Sequence, residues 1–338
     1  GIPAELPPWA HIHMLPTLHF KPVGRMIKLQ ERVDGMNRFC AAVAKELRSS
    51  EWLPKLLAIA GLLQSRAVRQ ILVLVAIDDV PLPAAQDRIE PDGTLLVHMQ
   101  TVGAKAEGET LFPDYVFGGW WHIGLHDYDG FARAMQEHAA VPAVRPQLFW
   151  IGNLDMSPSR TRLVGMAAAM PQRIDARGMR WAHARGNVTE ATGVRADTDG
   201  WVTLQAHAEW AYLIDLEGLG WSGRLKLLPH TGRPLLVQHR PLWDWASARL
   251  REREHFLVVD SALGDLTARL DWLDARPQQA AAMATAAAAL ANRTGFSAAM
   301  AHAARLTLAR IAAALAPPSP RRPTPPPLPT PPTPPSPP

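Results

Sequence analysis

The run QILVLVAI, Gln70 to Ile77, is apolar from Ile71 onward and leads straight into Asp78, Asp79, Val80 and Pro81. A strand that is apolar on both faces has to be covered on both faces, which happens in parallel sheets packed between helices. The carboxyl ends of such strands are where open α/β sheets place ligands. The run therefore predicts an α/β fold and sets two carboxylates at a ligand-facing edge. A second run, Ala211 to Leu216 (AYLIDL), has the same character, and Pro234 to Gln238 (PLLVQ) supplies a third. With a glycine-containing turn and a short helix from about Ser222 between them, these two read as a compact βαβ unit.

At 338 residues the chain is long enough for two domains of roughly 150 residues each. Strands alternate with helical patterns in both halves, which predicts two Rossmann-like domains, 1–143 and 144–316, joined near Pro142 to Pro146 (PAVRP). Gln278 to Ala316 is alanine-rich and free of proline, and predicts two helices broken at Asn292 to Gly295 (NRTG). From Pro317 the sequence PPSPRRPTPPPLPTPPTPPSPP cannot build a core, so 317–338 is expected to be a disordered tail or spacer, with adaptor binding as its one specific alternative.

The 35 Lys and Arg against 31 Asp and Glu give a net charge of only +4, and no long basic block occurs. That pattern points away from nucleic acid and suits a small polyanion such as a nucleotide diphosphate. A single cysteine, Cys40, excludes an intramolecular disulfide and reads as a buried inert thiol. No run of about 20 apolar residues marks a transmembrane segment.

Three segments carry residues fit for chemistry. In EGLGWSGRLKLL, Glu217 to Leu228, three glycines let the backbone approach a ligand closely, and Ser222 is a natural N-cap. A helix opened there aims amides and partial positive charge at the turn, and Arg224 and Lys226 add full charges. The plainer reading is an ordinary capped turn. In FWIGNLDMSPSR, Phe149 to Arg160, Gly152 and Asn153 end a strand, and Ser157-Pro158 starts a helix that presents Arg160 to a phosphate or to a surface carboxylate. In FPDYVFGGWWHIGLHDYDG, Phe112 to Gly130, aromatics beside a Gly-Gly pair wall a sugar or acceptor groove, or belong to the core. His122 and His126 with Asp127 and Asp129 invite a metal, as do His11 and His13 to a lesser degree. The HExxH glutamate is missing, however, and no third ligand is identifiable. Asp127-Tyr128-Asp129 also matches the Asp-x-Asp pattern of metal-dependent sugar transferases, although it follows a loop rather than a buried strand.

Taken in order, these segments resemble glycosyltransferase family 90, the group of fungal capsule-associated xylosyltransferases and animal protein O-glucosyltransferases. The resemblance is strongest in HAEWAYLIDLEGLGWSGRLKLLPHTGRPLLV, His207 to Val237. FWIGNLDMSPSR, FPDYVFGGWWHIGL, Trp243 and HFLVV from His255 add to it. It implies a GT-B-like fold with a nucleotide sugar in the cleft between two Rossmann-like domains, no cofactor and no required metal. It maps the donor-binding loop onto Leu219, Gly220, Trp221, Ser222, Gly223 and Arg224, and the strand-end contacts onto Asn153 and Arg160. The catalytic aspartate maps onto Asp79, and Trp120, Trp121 and His122 fall on the acceptor or sugar side. The activity so implied is inverting transfer of glucose or xylose from a UDP-sugar to a hydroxyl of a protein or glycan acceptor.

The sequence departs from the family pattern at Ala211, where a lysine usually stands, and at Trp121-His122, where Pro-Glu does. Two rival readings remain: a metal-dependent transferase using Asp127 and Asp129, and a non-catalytic nucleotide-sugar-binding module. The family's eukaryotic members work in the secretory pathway and its bacterial relatives in the cytoplasm. The triplets at Asn187 and Asn292 are compatible with the former.

Overall fold

The structure is a computed structural model and describes residues 12–17, 26–49, 51–78, 80–81, 86–179 and 202–316. Asp79, His11, the triplet at Asn187 and the tail 317–338 lie outside these residues.

The first half holds a four-stranded sheet in the order β1-β2-β4-β3. Strands β1 (Ile12–Thr17), β2 (Gln70–Ala76) and β4 (Thr94–Gln100) are parallel, and β3 (Arg88–Ile89) pairs antiparallel at one edge. The apolar run that opens the sequence argument is β2, hydrogen-bonded on both sides, with Ile71, Val73 and Val75 buried. Helices α1 (Met26–Glu46), α2 (Leu53–Ala58) and α3 (Ala60–Ser65) connect β1 to β2, as a parallel crossover requires.

The second half holds β6 (Arg145–Asn153), β7 (Ile174–Met179), β8 (Trp210–Asp215), β9 (Leu235–Gln238) and β11 (Leu257–Val259). They form one parallel sheet in the order β11-β9-β8-β6-β7. Helix α4 (Tyr128–Ala139) precedes it and α5 (Pro158–Ala169) joins β6 to β7. Helices α6 (Leu266–Ala275), α7 (Pro277–Arg293) and α8 (Phe296–Leu315) close the chain. Side chains of β6 alternate between two cores, as strand geometry demands. Leu148 and Trp150 pack with α5 and α6, while Phe149 and Ile151 join a larger core continuous with the first sheet. The short β5 (Val102–Ala104) pairs antiparallel with β10 (Leu242–Asp244) and links the two halves directly.

Helix α8 does not stay with the sheet that precedes it. Its Arg310 pairs with Asp87 at 2.8 Å and donates to the His98 carbonyl, and its His302 bonds the Leu111 carbonyl at 2.9 Å. Its first residue, Phe296, meets Phe39 of α1 edge-on at 5.9 Å, and Phe112 meets the same ring edge-on at 5.8 Å. The expected unit 144–316 thus gives its last helix to the first sheet. The break before α8 falls at the expected NRTG: the Thr294 hydroxyl donates back to Leu290, Gly295 is extended, and Asp129 of α4 accepts the Phe296 amide.

Helix α1 reaches the 3-10 turn Tyr115–Gly118 through two glycines. A Cβ on Gly35 would stand 2.6 Å from the Gly119 carbonyl oxygen, and one on Gly118 would overlap the carbonyl of Gly35. The backbones touch because neither residue has a side chain.

Candidate functional site

In the second sheet the chain moves outward from β6 to β7, then crosses to β8 on the other side. Open α/β sheets bind ligands beside such a reversal, here the carboxyl ends of β6 and β8. At this edge lies Asp215, the last residue of β8, with its carboxylate fully buried. The Ser222 hydroxyl donates to it at 2.7 Å, Arg224 Nε at 3.0 Å, and Arg240 Nη2 closes an ion pair at 2.7 Å. Burial on its own would raise the Asp215 pKa, but Arg240 and Arg224, with help from Ser222, hold it below the ordinary value.

A third guanidinium completes the group. Arg160, in the first turn of α5, donates to the carbonyls of Asn153 and Glu217, both at 2.9 Å, and so bridges the ends of β6 and β8. Burial, reinforced by repulsion from Arg224, pushes its pKa down to about 9. Two arginines bind the Asp215 carboxylate and a third lies close by, with Asp215 and Glu217 as the carboxylates acting on it, so positive charge exceeds negative here. Arg224 also donates to the Ile151 carbonyl at 2.5 Å. Its Nη2, like Nη1 of Arg240, is buried with no hydrogen-bond partner among the described residues. Buried cationic donors without acceptors are costly.

The loop over this group departs from the expected helix. Residues 223–227 form successive turns, followed by a 3-10 turn, Leu228–Thr231, that ends at Gly232 in the left-handed region (φ 63°). Ser222 is bound to Asp215 rather than capping a helix, so positive potential comes from guanidinium groups and not from a helix end. Gly218 donates to the Trp221 carbonyl, and a Cβ there would lie 2.7 Å from that same oxygen, so the turn requires glycine.

Lys226 is likewise not a free charge at the loop. Its ammonium is 1% exposed and bound to Asp114 at 2.8 Å. The Asn153 side chain accepts the Asp155 amide and shapes the turn after β6, while its carbonyl serves Arg160. Gly220 and Trp221 are buried and Leu219 is half exposed.

The aromatic segment adjoins this loop. Trp221 meets Tyr115 edge-on at 6.2 Å, Tyr115 meets Trp120 at 6.1 Å, and a Cβ on Gly223 would be 3.3 Å from the Trp120 ring. Trp121 is 52% exposed with Arg38 over its ring at 4.8 Å. The amide of His122 donates to Glu31 at 2.5 Å, and its Nε2 lies 3.4 Å from the same carboxylate.

Asp127 and Asp129 have other occupations. Asp127 caps α4 by accepting the Gly130 amide, and Asp129 holds the start of α8. Among the described residues no three His, Cys, Asp or Glu side chains converge in a metal-holding arrangement. Asp78 is buried just beyond β2.

Sequence reasoning missed Asp215 and Arg240, the two most buried members of the charged group. The available signal was position: each stands at or just past the carboxyl end of a buried strand.

The family model for glycosyl transferase family 90 matches residues 58–294, a span that takes in β2, the aromatic segment, the second sheet and α7. The chain belongs to glycosyl transferase family 90. Among solved structures this family 90 chain overlaps Anabaena Alr3699/HepE in complex with UDP-glucose at 13% identity and a TM-score of 0.42, covering 88% of this chain and 99% of that one. It overlaps a glycosyltransferase from Rickettsia africae at 8% identity and a TM-score of 0.38, covering 89% and 98%. Against the GtfA/B complex, at 12% identity and a TM-score of 0.33, the overlap covers 50% of this chain and spans only 37% of that one. No curated protein matches the chain. Among the described residues no helix is long and apolar enough to cross a membrane.

Proposed function

We propose that this glycosyltransferase moves glucose or xylose from a UDP-sugar to a hydroxyl of a protein or glycan acceptor, with inversion and without a metal. Arg160, Arg224 and Arg240 around Asp215, at the switch point of the second sheet, carry this reading. Their excess charge and the two unpartnered guanidinium nitrogens suit a diphosphate. In a GT-B-like arrangement the sugar points from that site toward the first half. There Asp79 follows β2, and Trp120, Trp121 and His122 flank the acceptor.

Asp79 takes the proton of the acceptor hydroxyl as its oxygen attacks the anomeric carbon from the face opposite the diphosphate. The bond from that carbon to the phosphate oxygen breaks, and UDP leaves with the electron pair. Arg224 and Arg160 stabilise the charge that develops on it.

Calorimetric titration with a panel of UDP-, GDP- and CMP-sugars tests the donor class, and proton NMR of the product reads the anomeric outcome. Selective binding of UDP-glucose or UDP-xylose with an inverted product is expected. Absence of UDP-sugar binding, or a retained anomer, overturns the reading.

A further inference from the structure

Three motif segments far apart in the sequence meet at one buried ion cluster that the proposed chemistry does not use. Lys226 Nζ lies 2.8 Å from Asp114 Oδ2 and 3.5 Å from Asp244 Oδ1, and all three side chains are 1–2% exposed. Asp114 stands in FPDYVFGGWWHIGL, Lys226 in EGLGWSGRLKLL, and Asp244 follows Trp243. Each member also holds backbone. Asp114 accepts the Val116 amide, and Asp244 accepts the amides of Ala246 and Ser247. Lys226 donates to the carbonyl of Gly223 at 3.1 Å.

Gly223 lies between Ser222 and Arg224, the two loop residues that bind Asp215, and beside Trp120. The ammonium therefore grips the loop at the Gly223 carbonyl, and its first carboxylate grips the aromatic segment. We infer that Lys226, Asp114 and Asp244 are positioning residues that lock loop 218–224 onto segment 112–121 and so set the affinity for the nucleotide diphosphate donor.

The chemistry favours this role over generic stabilisation. One ammonium for two carboxylates leaves a net negative charge in a fully buried place, and a hydrophobic cluster of like volume would hold the fold as well or better. What the ions add is directional bonding to one backbone oxygen and two capped turns. Tyr128, beside the two carboxylates, keeps its proton, because burial and then Asp114 and Asp244 drive its pKa up.

The inference rests on the donor reading above, and a double-mutant cycle separates the two. Asp114→Asn, Lys226→Gln and the double variant are titrated with UDP-glucose, and turnover is measured at saturating donor. Asparagine keeps the cap on Val116, so the first variant folds even if Lys226→Gln does not. Each single change is expected to weaken UDP-glucose binding about tenfold, with the double no weaker than the worse single and turnover at saturation nearly unchanged. Folded variants that bind UDP-glucose as the wild type does, or that lose affinity additively, overturn the positioning role. A wild type that fails to bind UDP-glucose overturns the donor reading, and this inference with it.

Discussion

The hydroxyl of Ser222 donates to the carboxylate of Asp215 at 2.7 Å, across the whole glycine-bearing loop. The bond pins the loop to the end of β8 and helps keep a buried carboxylate ionised among arginines. Ser222→Ala should therefore lower stability by about 1.5–3 kcal/mol, as expected for a buried hydrogen bond to a charged group. Urea unfolding checks the loss, and a change within error would show that solvent replaces the hydroxyl.

Arg224 has one guanidinium nitrogen on Asp215, one on the Ile151 carbonyl and one without a hydrogen-bond partner among the described residues. Arg224→Ala should weaken UDP binding by about 1.5–3 kcal/mol. Arg224→Lys should recover only part of this, since an ammonium cannot serve three directions in one plane. Calorimetric titration of UDP into both variants decides it.

Asp79→Asn keeps shape and removes the proton acceptor, so UDP-sugar binding should persist while turnover falls roughly 10²–10⁴-fold. Asp78→Asn, at a buried position, should cost stability more than turnover. Activity of the wild type should withstand EDTA. Full activity of the Asp79 variant would remove the proposed base, and complete loss with chelator would promote Asp127 and Asp129.

His207 is buried against Phe149, with Nδ1 donating to the Thr203 carbonyl at 2.7 Å. Burial, with Arg224 nearby, pushes its pKa from 6.5 down to about 3. The unfolded chain thus takes up a proton as pH falls through 6.5 while the folded one does not. Stability from this site is complete above 6.5 and is lost on acidification toward 3, at about 1.4 kcal/mol per pH unit. His207→Asn should destabilise at pH 7 through lost ring packing, and the gap to wild type should narrow as pH falls. Chemical unfolding at both ends of that range checks the sign.

Gly118→Ala would drive a methyl group into the carbonyl of Gly35, and neither backbone can withdraw without moving α1. A loss of about 3 kcal/mol or more is expected, at the upper end of overpacking effects. Thermal unfolding measures it.

The strands were legible because β2, β8 and β9 are apolar on both faces and bounded by turn residues, a pattern local to each segment. The α7–α8 break was legible for the same reason, as Thr294 and Gly295 act within a few residues of themselves. The Ser222 helix was misread because its signals, a cap residue before Arg and Lys, were competing for more distant partners. Asp215 took the serine, Asp215 and Ile151 took Arg224, and Asp114 took Lys226. No window of sequence around residue 222 contains Asp114. Arg240 escaped notice similarly, since its importance comes from sharing Asp215 with Arg224 rather than from its neighbours in the chain.

Because α8 covers α1 and β4, elements made early on the ribosome wait for one made much later. The second sheet has all its strands once residue 259 has emerged, whereas Phe39 lacks Phe296 and Asp87 lacks Arg310 until α8 is out. For that interval the nascent first half carries uncovered apolar surface, the kind that chaperones engage. A stop codon before α8 would make the wait permanent, exposing the amino-terminal sheet although its own sequence is intact.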